Sequence, residues 1–284
     1  MTSSERSNGT VDVFEQAATS YDRTGVSFFG PFGAELVRRA GIRPGARVLD
    51  VGCGRGAVLF PAAEATGPTG RVTGTDLAPA MVALTAEDAT RAGLTHVDIR
   101  MGDAQQPDFP AGSFDVVLAG LVVFLLPEPE QALRAYARLL RPAGRVAIST
   151  FGAMDPAFVA AMDALARHLP ADQPRPAPTD DPFADDQTVT ATMAAAGLTV
   201  TAISQHRVES RFRDVDHWME WMWSHGARAL LRHIPAELLD AATTDAARAL
   251  APARLPGGGL ALITTIRVTV AVPSPAAACP NDPS

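Results

Sequence analysis

The chain has 284 residues, 47% of them hydrophobic, which suffices to bury one large domain or two small ones. Its formal net charge of −7 and isoelectric point near 5.3 exclude a surface built to hold nucleic-acid phosphates, which needs clustered Lys and Arg. Two cysteines, Cys53 and Cys279, exclude a disulfide framework and suit a reducing cytoplasm, where the protein is expected to reside.

The opening MTSSERSNGT is too polar for a secretion signal, and no apolar run of about 18 residues suits a membrane span. Residues 1–11 are expected to be a disordered leader. Asp12 and Glu15 then resemble a capping box at a helix start. Phe14, Ala17, Ala18 and Tyr21 fall on one face of that helix. RRAGIRPGA (38–46) reads as a helix end and a turn.

Strand-like runs follow at 46–51, 71–75, 97–101, 114–119 and 145–150. Helical runs separate them at 56–65, 79–92 and 129–141. This alternation predicts crossover units and a parallel sheet covered on both faces. Pro61 stands near the front of the first crossover helix and threatens one hydrogen bond there. Residues 155–168 read as a helix and 170–182 as a Pro-rich loop. Asp186 is expected to cap a short helix ending at Gly197. Two β-like runs, 198–208 and 260–272, enclose a helical insert at 214–251, and 273–284 read as a frayed tail. The expected fold is an α/β, Rossmann-like doubly wound sheet of seven mostly parallel strands. It forms one domain over 12–284, with cap inserts at 152–185 and 214–251.

VLDVGCGRGAVL (48–59) runs from a strand through three alternate glycines into a helix-like stretch. Gly52, Gly54 and Ala57 satisfy the dinucleotide pattern G-x-G-x-x-[GA], a weak match taken alone. Asp50, however, ends the strand, and a carboxylate there repels a pyrophosphate but attracts an ammonium. Asp76 closes the second strand, where a carboxylate takes ribose hydroxyls, and Asp103 follows the third, where it accepts from an exocyclic amine. The set describes a nucleoside with a cationic amino-acid tail and no phosphate.

DVGCGRG (50–56), Asp76 in TDLAPAM and GDA (102–104) resemble the motifs of class I S-adenosylmethionine (SAM)-dependent methyltransferases. The likeness is greatest to the small-molecule branch that holds the ubiquinone/menaquinone-type enzymes. Residues 114–150 resemble that family's fourth strand, helix and fifth strand, with its L-K-P-G-G turn written L-R-P-A-G (140–144). The resemblance covers about 12–151. It implies SAM as cofactor, S-adenosylhomocysteine as product, and a site at the C-terminal edge of the sheet. Gly52, Gly54 and Gly56 would pass the methionyl moiety, and Asp50 would lie near its amino group. Asp76, with Leu77 beside it, would hold the ribose, and Met81 would lie on the adenine. Asp103 would accept from the adenine amine, with the Ala104 backbone beside the ring. Tyr21, paired with Asp22, would belong to a helix closing over the cofactor.

Acceptor choice is expected outside these motifs. In DHWMEWMWSHGARALLRHIP (216–235), Trp218, Trp221, Met222 and His225 share one helical face. Such a face suits an apolar or aromatic acceptor, with His225 as the candidate general base. The competing reading makes Trp218 and Trp221 the core of a cap and His225 a satisfied structural histidine. Phe28, Phe29 and Phe32, and Phe124 after the fourth strand, are candidates to line the same cavity or to pack in the core. No metal-ligand spacing occurs, so no metal is expected. The N-P-P-Y type tetrapeptide of amino-methylating DNA and protein enzymes is missing; AGLV (119–122) stands there. The expected partner is a small-molecule acceptor, first a hydroxyl, with carbon or nitrogen as alternatives and a homodimer allowed. Two rival readings stay open: an NAD-dependent oxidoreductase, and a SAM-fold protein that only binds or catalyses a cyclisation.

Overall fold

The computed structural model describes residues 3–171 and 181–275. The expected tail beyond 275 and most of the Pro-rich loop lie outside the described residues.

The glycine-punctuated strands form where the apolar runs predict them. β1 (Arg47–Val51), β2 (Arg71–Asp76), β3 (Val97–Met101) and β4 (Phe114–Gly120) pair in parallel, and β5 (Leu140–Met154) continues beside β4. β6 (Leu198–Phe212) and β7 (Leu260–Pro273) close the sheet, with β7 antiparallel to both β5 and β6. The order is β3-β2-β1-β4-β5-β7-β6. β1 shows why such a strand lies at the centre: all but Arg47 is buried, as a parallel strand covered on both faces requires.

The crossovers are helices. α3 (Leu59–Thr66) leads from β1 to β2, α4 (Pro79–Arg91) from β2 to β3, and α5 (Pro129–Leu139) from β4 to β5. Pro61 falls in the first turn of α3, where a missing N–H breaks no intrahelical bond. α5 turns Ala132, Leu133, Tyr136 and Leu139 inward at helical spacing. α2 (Phe29–Ala40) stops at Gly41, whose φ of 62° makes the left-handed cap.

Three expectations are corrected. α1 runs Ser3–Ala17, through the residues read as a leader. Its first turns are polar and carry no apolar periodicity, so the sequence hides a helix whose later part packs Val13, Phe14 and Ala17, with Ala18 just beyond its end. Glu15 therefore lies in the last turn of α1 rather than at a helix start, and its carboxylate accepts from the Ala80 N–H at the start of α4, 2.8 Å away. α7 (Asp186–Ala195) is capped by Asp185, not Asp186, through a capping box with Thr188. Asp186 instead meets the buried Arg267 of β7 at 2.5 Å.

The expected inserts pack directly on the main core. α6 (Pro156–Ala166), α8 (Val215–Trp223), α9 (Arg228–Leu231) and α10 (Leu239–Ala249) bury Ala161, Trp218, Leu231 and Ala246 in the same apolar cluster as Leu36 of α2. α5 and α7 cover a second cluster across the sheet.

Candidate active site

Asp50, Asp76 and Asp103 come together at the C-terminal ends of β1, β2 and β3, the crevice where open α/β sheets bind ligands. The loop between Asp50 and α3 is fixed by its own backbone: Cys53 N–H donates to Thr75 O at 2.9 Å, and Thr85 Oγ1 donates to Gly54 O at 2.7 Å. Gly52 has a φ of 64°, and a Cβ there would stand 2.6 Å from Val122 Cγ2. The left-handed φ calls for glycine, and any Cβ would also oblige Val122 to turn away.

Two recesses adjoin along this loop and share Tyr21, Gly52, Gly54, Gly120 and Leu121. In the first, Asp76 Oδ2 accepts from Gly54 N–H and Oδ1 from Ala78 N–H, each at 2.9 Å. Asp103 Oδ1 accepts from Gln105 N–H at 2.7 Å, and Tyr136 Oη donates to Ala104 O at 2.7 Å from beneath. Leu77 and Met81 supply apolar wall, and Thr10, Val11 and Phe14 of α1 close the recess from above. The second recess holds Asp50, with Phe29, Phe32 and Ser149 around it. Asp50 is 1% exposed, and neither of its oxygens has a hydrogen-bond partner. Burial, and then the charge of Asp76, push its carboxyl well above the usual range. An orphaned buried carboxylate is costly unless a cation comes to it.

The structure brings together nine of the ten cofactor candidates: Tyr21, Asp50, Gly52, Gly54, Asp76, Leu77, Met81, Asp103 and Ala104. Gly56 lines neither recess. A Cβ on it would lie 2.3 Å from the Phe60 ring, so its glycine serves helix packing. Tyr21 stacks on Phe29 with centroids 4.6 Å apart. Burial, and then the charges of Asp22 and Asp76, raise its phenol above the ordinary value.

The acceptor candidates divide. Phe29 and Phe32 line the second recess. Phe28, Trp218, Trp221 and Met222 do not; they are buried in the core, Trp221 against Phe28 at 5.0 Å and against Phe212 at 5.3 Å. Phe124 lies on Phe151 at 5.3 Å, outside both recesses, while its neighbours Leu125 and Leu126 line the first. His225 lines neither. Its Nδ1 accepts from Ala227 N–H at 3.2 Å, and its buried Nε2 has no partner. Burial lowers its pKa to about 3. Of the two sequence readings of His225, base or structural histidine, this geometry supports the second: it lines neither recess, the Nδ1 lone pair is occupied, and desolvation disfavours the charged form.

Sequence reasoning missed Thr10, Val11, Leu121 and Val122. Leu121 is a non-glycine residue at a φ of 52°, held by its N–H to Ser149 Oγ at 3.1 Å. No local pattern marks such a turn.

A doubly wound sheet of this order, with a glycine loop after β1 and acids at three neighbouring strand ends, is the architecture that the sequence resemblance implies. Comparison with known proteins fixes the family. Residues 49–148 match the family model described as "Methyltransferase domain". The chain is 42% identical over 228 residues to nocamycin O-methyltransferase of Saccharothrix syringae, covering 76% of this chain and 81% of that protein. It is 43% identical over 166 residues to aklanonic acid methyltransferase DauC of Streptomyces sp. strain C5, covering 56% and 76%. The fold superposes on a putative methyltransferase of Bacillus halodurans with a TM-score of 0.58 at 15% identity, covering 86% of this chain and 99% of that one. The chain belongs to the class I small-molecule SAM-dependent methyltransferases, and its cofactor is SAM. No helix among the described residues is long and apolar enough to cross a membrane.

Proposed function

We propose that this methyltransferase moves the methyl group to an oxygen of a small, largely apolar natural product, and that this oxygen arrives already ionised, as a carboxylate or an acidic enol or phenol. One observation carries the reading: among the described residues, the aromatic recess is lined by no histidine, and its one carboxyl is Asp50, which this reading gives to the cofactor's ammonium. His225 has its Nδ1 lone pair occupied, and the raised phenol of Tyr21 stays neutral. An acceptor that must lose a proton during transfer needs a base; a carboxylate does not. The printed names of the two relatives, an O-methyltransferase and a methyltransferase of an acid, support this choice.

The residues fit SAM. Asp50, with two orphaned oxygens, would hold the ammonium, and Asp76, anchored through Gly54 and Ala78, would take the ribose hydroxyls. Asp103 would accept from the adenine amine, with Met81 and Leu77 on the ring. Bound SAM supplies a methyl group on a sulfonium, and as an acceptor oxygen lone pair forms the new O–CH3 bond, the S–CH3 bond breaks and its electron pair stays on sulfur. The protein's part is to align that oxygen and to keep water away. Phe29, Phe32 and Tyr21 make the apolar approach on the Asp50 side.

The test is a labelled-methyl assay with paired aromatic acids and alcohols of equal size. Methyl esters from the acids are the expected product. Transfer only to alcohols, or to carbon, overturns the reading. Binding of S-adenosylhomocysteine with no transfer to any of them would favour the non-methylating alternative.

A further inference from the structure

The second recess crosses the sheet edge from Asp50, at the end of β1, to Ser149 of β5, with Gly120 and Leu121 after β4 between them. Two strand spacings separate its ends, about 10 Å. Ser149 shares a face of β5 with Ala147, which packs in the cluster that holds Phe32 and Leu36 of α2. Its side chain therefore points into the recess that Phe29, Phe32 and Gly33 close from α2.

On the proposed reading, the first recess takes the nucleoside of SAM and Asp50 takes its ammonium. The sulfonium joins those two parts, so it belongs where the recesses overlap, at Tyr21, Gly52, Gly54, Gly120 and Leu121. The Ser149 end of the second recess is then left to the acceptor.

The hydroxyl at that end is half used. Leu121 N–H donates to Ser149 Oγ at 3.1 Å, which occupies a lone pair and leaves the hydroxyl hydrogen to be given elsewhere. Among the described residues nothing accepts it, and Ser149 is 2% exposed. An unmade buried donor is costly, and native structures hold few of them.

We propose that Ser149 is an acceptor-binding residue: its Oγ–H donates to one carboxylate oxygen of the methyl acceptor and turns the other oxygen toward the sulfonium methyl. This deepens the function proposed above and rests on it. Ser149 moves no proton. It selects acids over alcohols, which lack the second oxygen.

The experiment is calorimetry of 2-naphthoate against protein saturated with S-adenosylhomocysteine, for wild type, Ser149→Ala and Ser149→Thr. Alanine removes the donor without stranding the turn, because Leu121 N–H keeps Ser149 O as an acceptor at 3.2 Å. Threonine keeps the hydroxyl. We expect naphthoate to bind about tenfold or more weakly to Ser149→Ala, and nearer wild-type strength to Ser149→Thr. S-adenosylhomocysteine affinity should be equal in all three. Equal naphthoate affinity in wild type and Ser149→Ala overturns the proposal, as does absence of heat with wild type or a threonine variant as weak as alanine. Weaker S-adenosylhomocysteine binding in Ser149→Ala gives the hydroxyl to the cofactor's own carboxylate and overturns it too. Naphthoate that binds through Ser149 but is never methylated, alongside alcohols that are, defeats the proposed reaction and leaves the donor role standing.

Discussion

Asp50 and Asp76 end neighbouring parallel strands, yet Asp76 has both oxygens capped by backbone N–H groups while Asp50 has neither. The difference divides their duties. Asp76 is anchored before any ligand arrives. Asp50 is held in a destabilised state that, on the proposed reading, an ammonium would relieve.

Its raised pKa sets a sign. The folded chain binds the Asp50 proton more tightly than the unfolded one. Ligand-free stability therefore falls as pH rises from the usual carboxylate range through the raised value. Asp50→Asn removes that loss. The ligand-free variant should melt higher than wild type at pH 8, with the gap closing toward pH 4. The same substitution should weaken S-adenosylhomocysteine about 10- to 100-fold, the worth of one hydrogen bond to a charged group. Thermal melts and calorimetry check both; a variant that binds like wild type removes Asp50 from the cofactor site.

Asp88 should behave with the opposite sign. Burial raises its carboxyl, but the bonds and charges of Arg55, Arg91 and Arg23 outweigh this and hold it below the usual range. Its contribution is complete above the unfolded carboxylate pKa and is lost as pH falls through the depressed value. Arg55 leaves the glycine loop for Asp88 at 2.6 Å and for Ala18 O at 2.8 Å, with its side chain 7% exposed. Asp88→Ala strands that guanidinium and should cost about 3 kcal/mol in urea unfolding near neutral pH. The cost should shrink in acid. It should also loosen the segment that carries Tyr21, read as weaker S-adenosylhomocysteine binding.

These features differ in how much of them a sequence reveals. β1 to β5 were legible because buried parallel strands are local apolar runs, and Asp50, Asp76 and Asp103 because strand ends fix where their carboxylates go. α1 was not, since Ser3 to Gly9 show no apolar stripe and the helix is held by docking of its later turns. The indole faces of α8 were read as acceptor wall, but Trp218 and Trp221 face the core because α6 and α10 cover them. The state of His225 hangs on an N–H two residues away, a turn geometry that residue types do not encode.

Gly33 and Gly52 should separate stability from binding. Gly33 faces the loop from α2, where a Cβ would stand 2.0 Å from Ala57 O, a backbone atom that has no rotamer to change. Gly33→Ala should push α2 off the loop and cost about 3 kcal/mol. At Gly52 the steric neighbour is the Val122 side chain, which can turn away, so Gly52→Ala mainly bears the left-handed strain of about 1–2 kcal/mol. Binding should rank in reverse. Gly52 lines both recesses, whereas Gly33 borders only the second, so Gly52→Ala should lose more S-adenosylhomocysteine affinity per kcal/mol of stability lost. Urea curves with calorimetry on both variants decide this.

Ala143 offers a gain. It stands at a φ of 64° in the L-R-P-A-G turn, exposed and without packing to lose. The next residue, Gly144, has no such freedom: a Cβ there would meet Arg141 O at 2.9 Å and Asp115 O at 3.0 Å. Left-handed alanine carries about 1–2 kcal/mol of strain, and glycine returns about 0.5–1 kcal/mol of it as unfolded-state entropy. Ala143→Gly should therefore stabilise by roughly 0.5–1 kcal/mol, a rise in Tm of about 1–4 °C for a chain of this size. Gly144→Ala should destabilise. The turn lies at the far end of β5 from the recesses, so S-adenosylhomocysteine affinity should stay unchanged in Ala143→Gly. A lower midpoint in urea for that variant would mean that the strain at Ala143 is not what limits the turn.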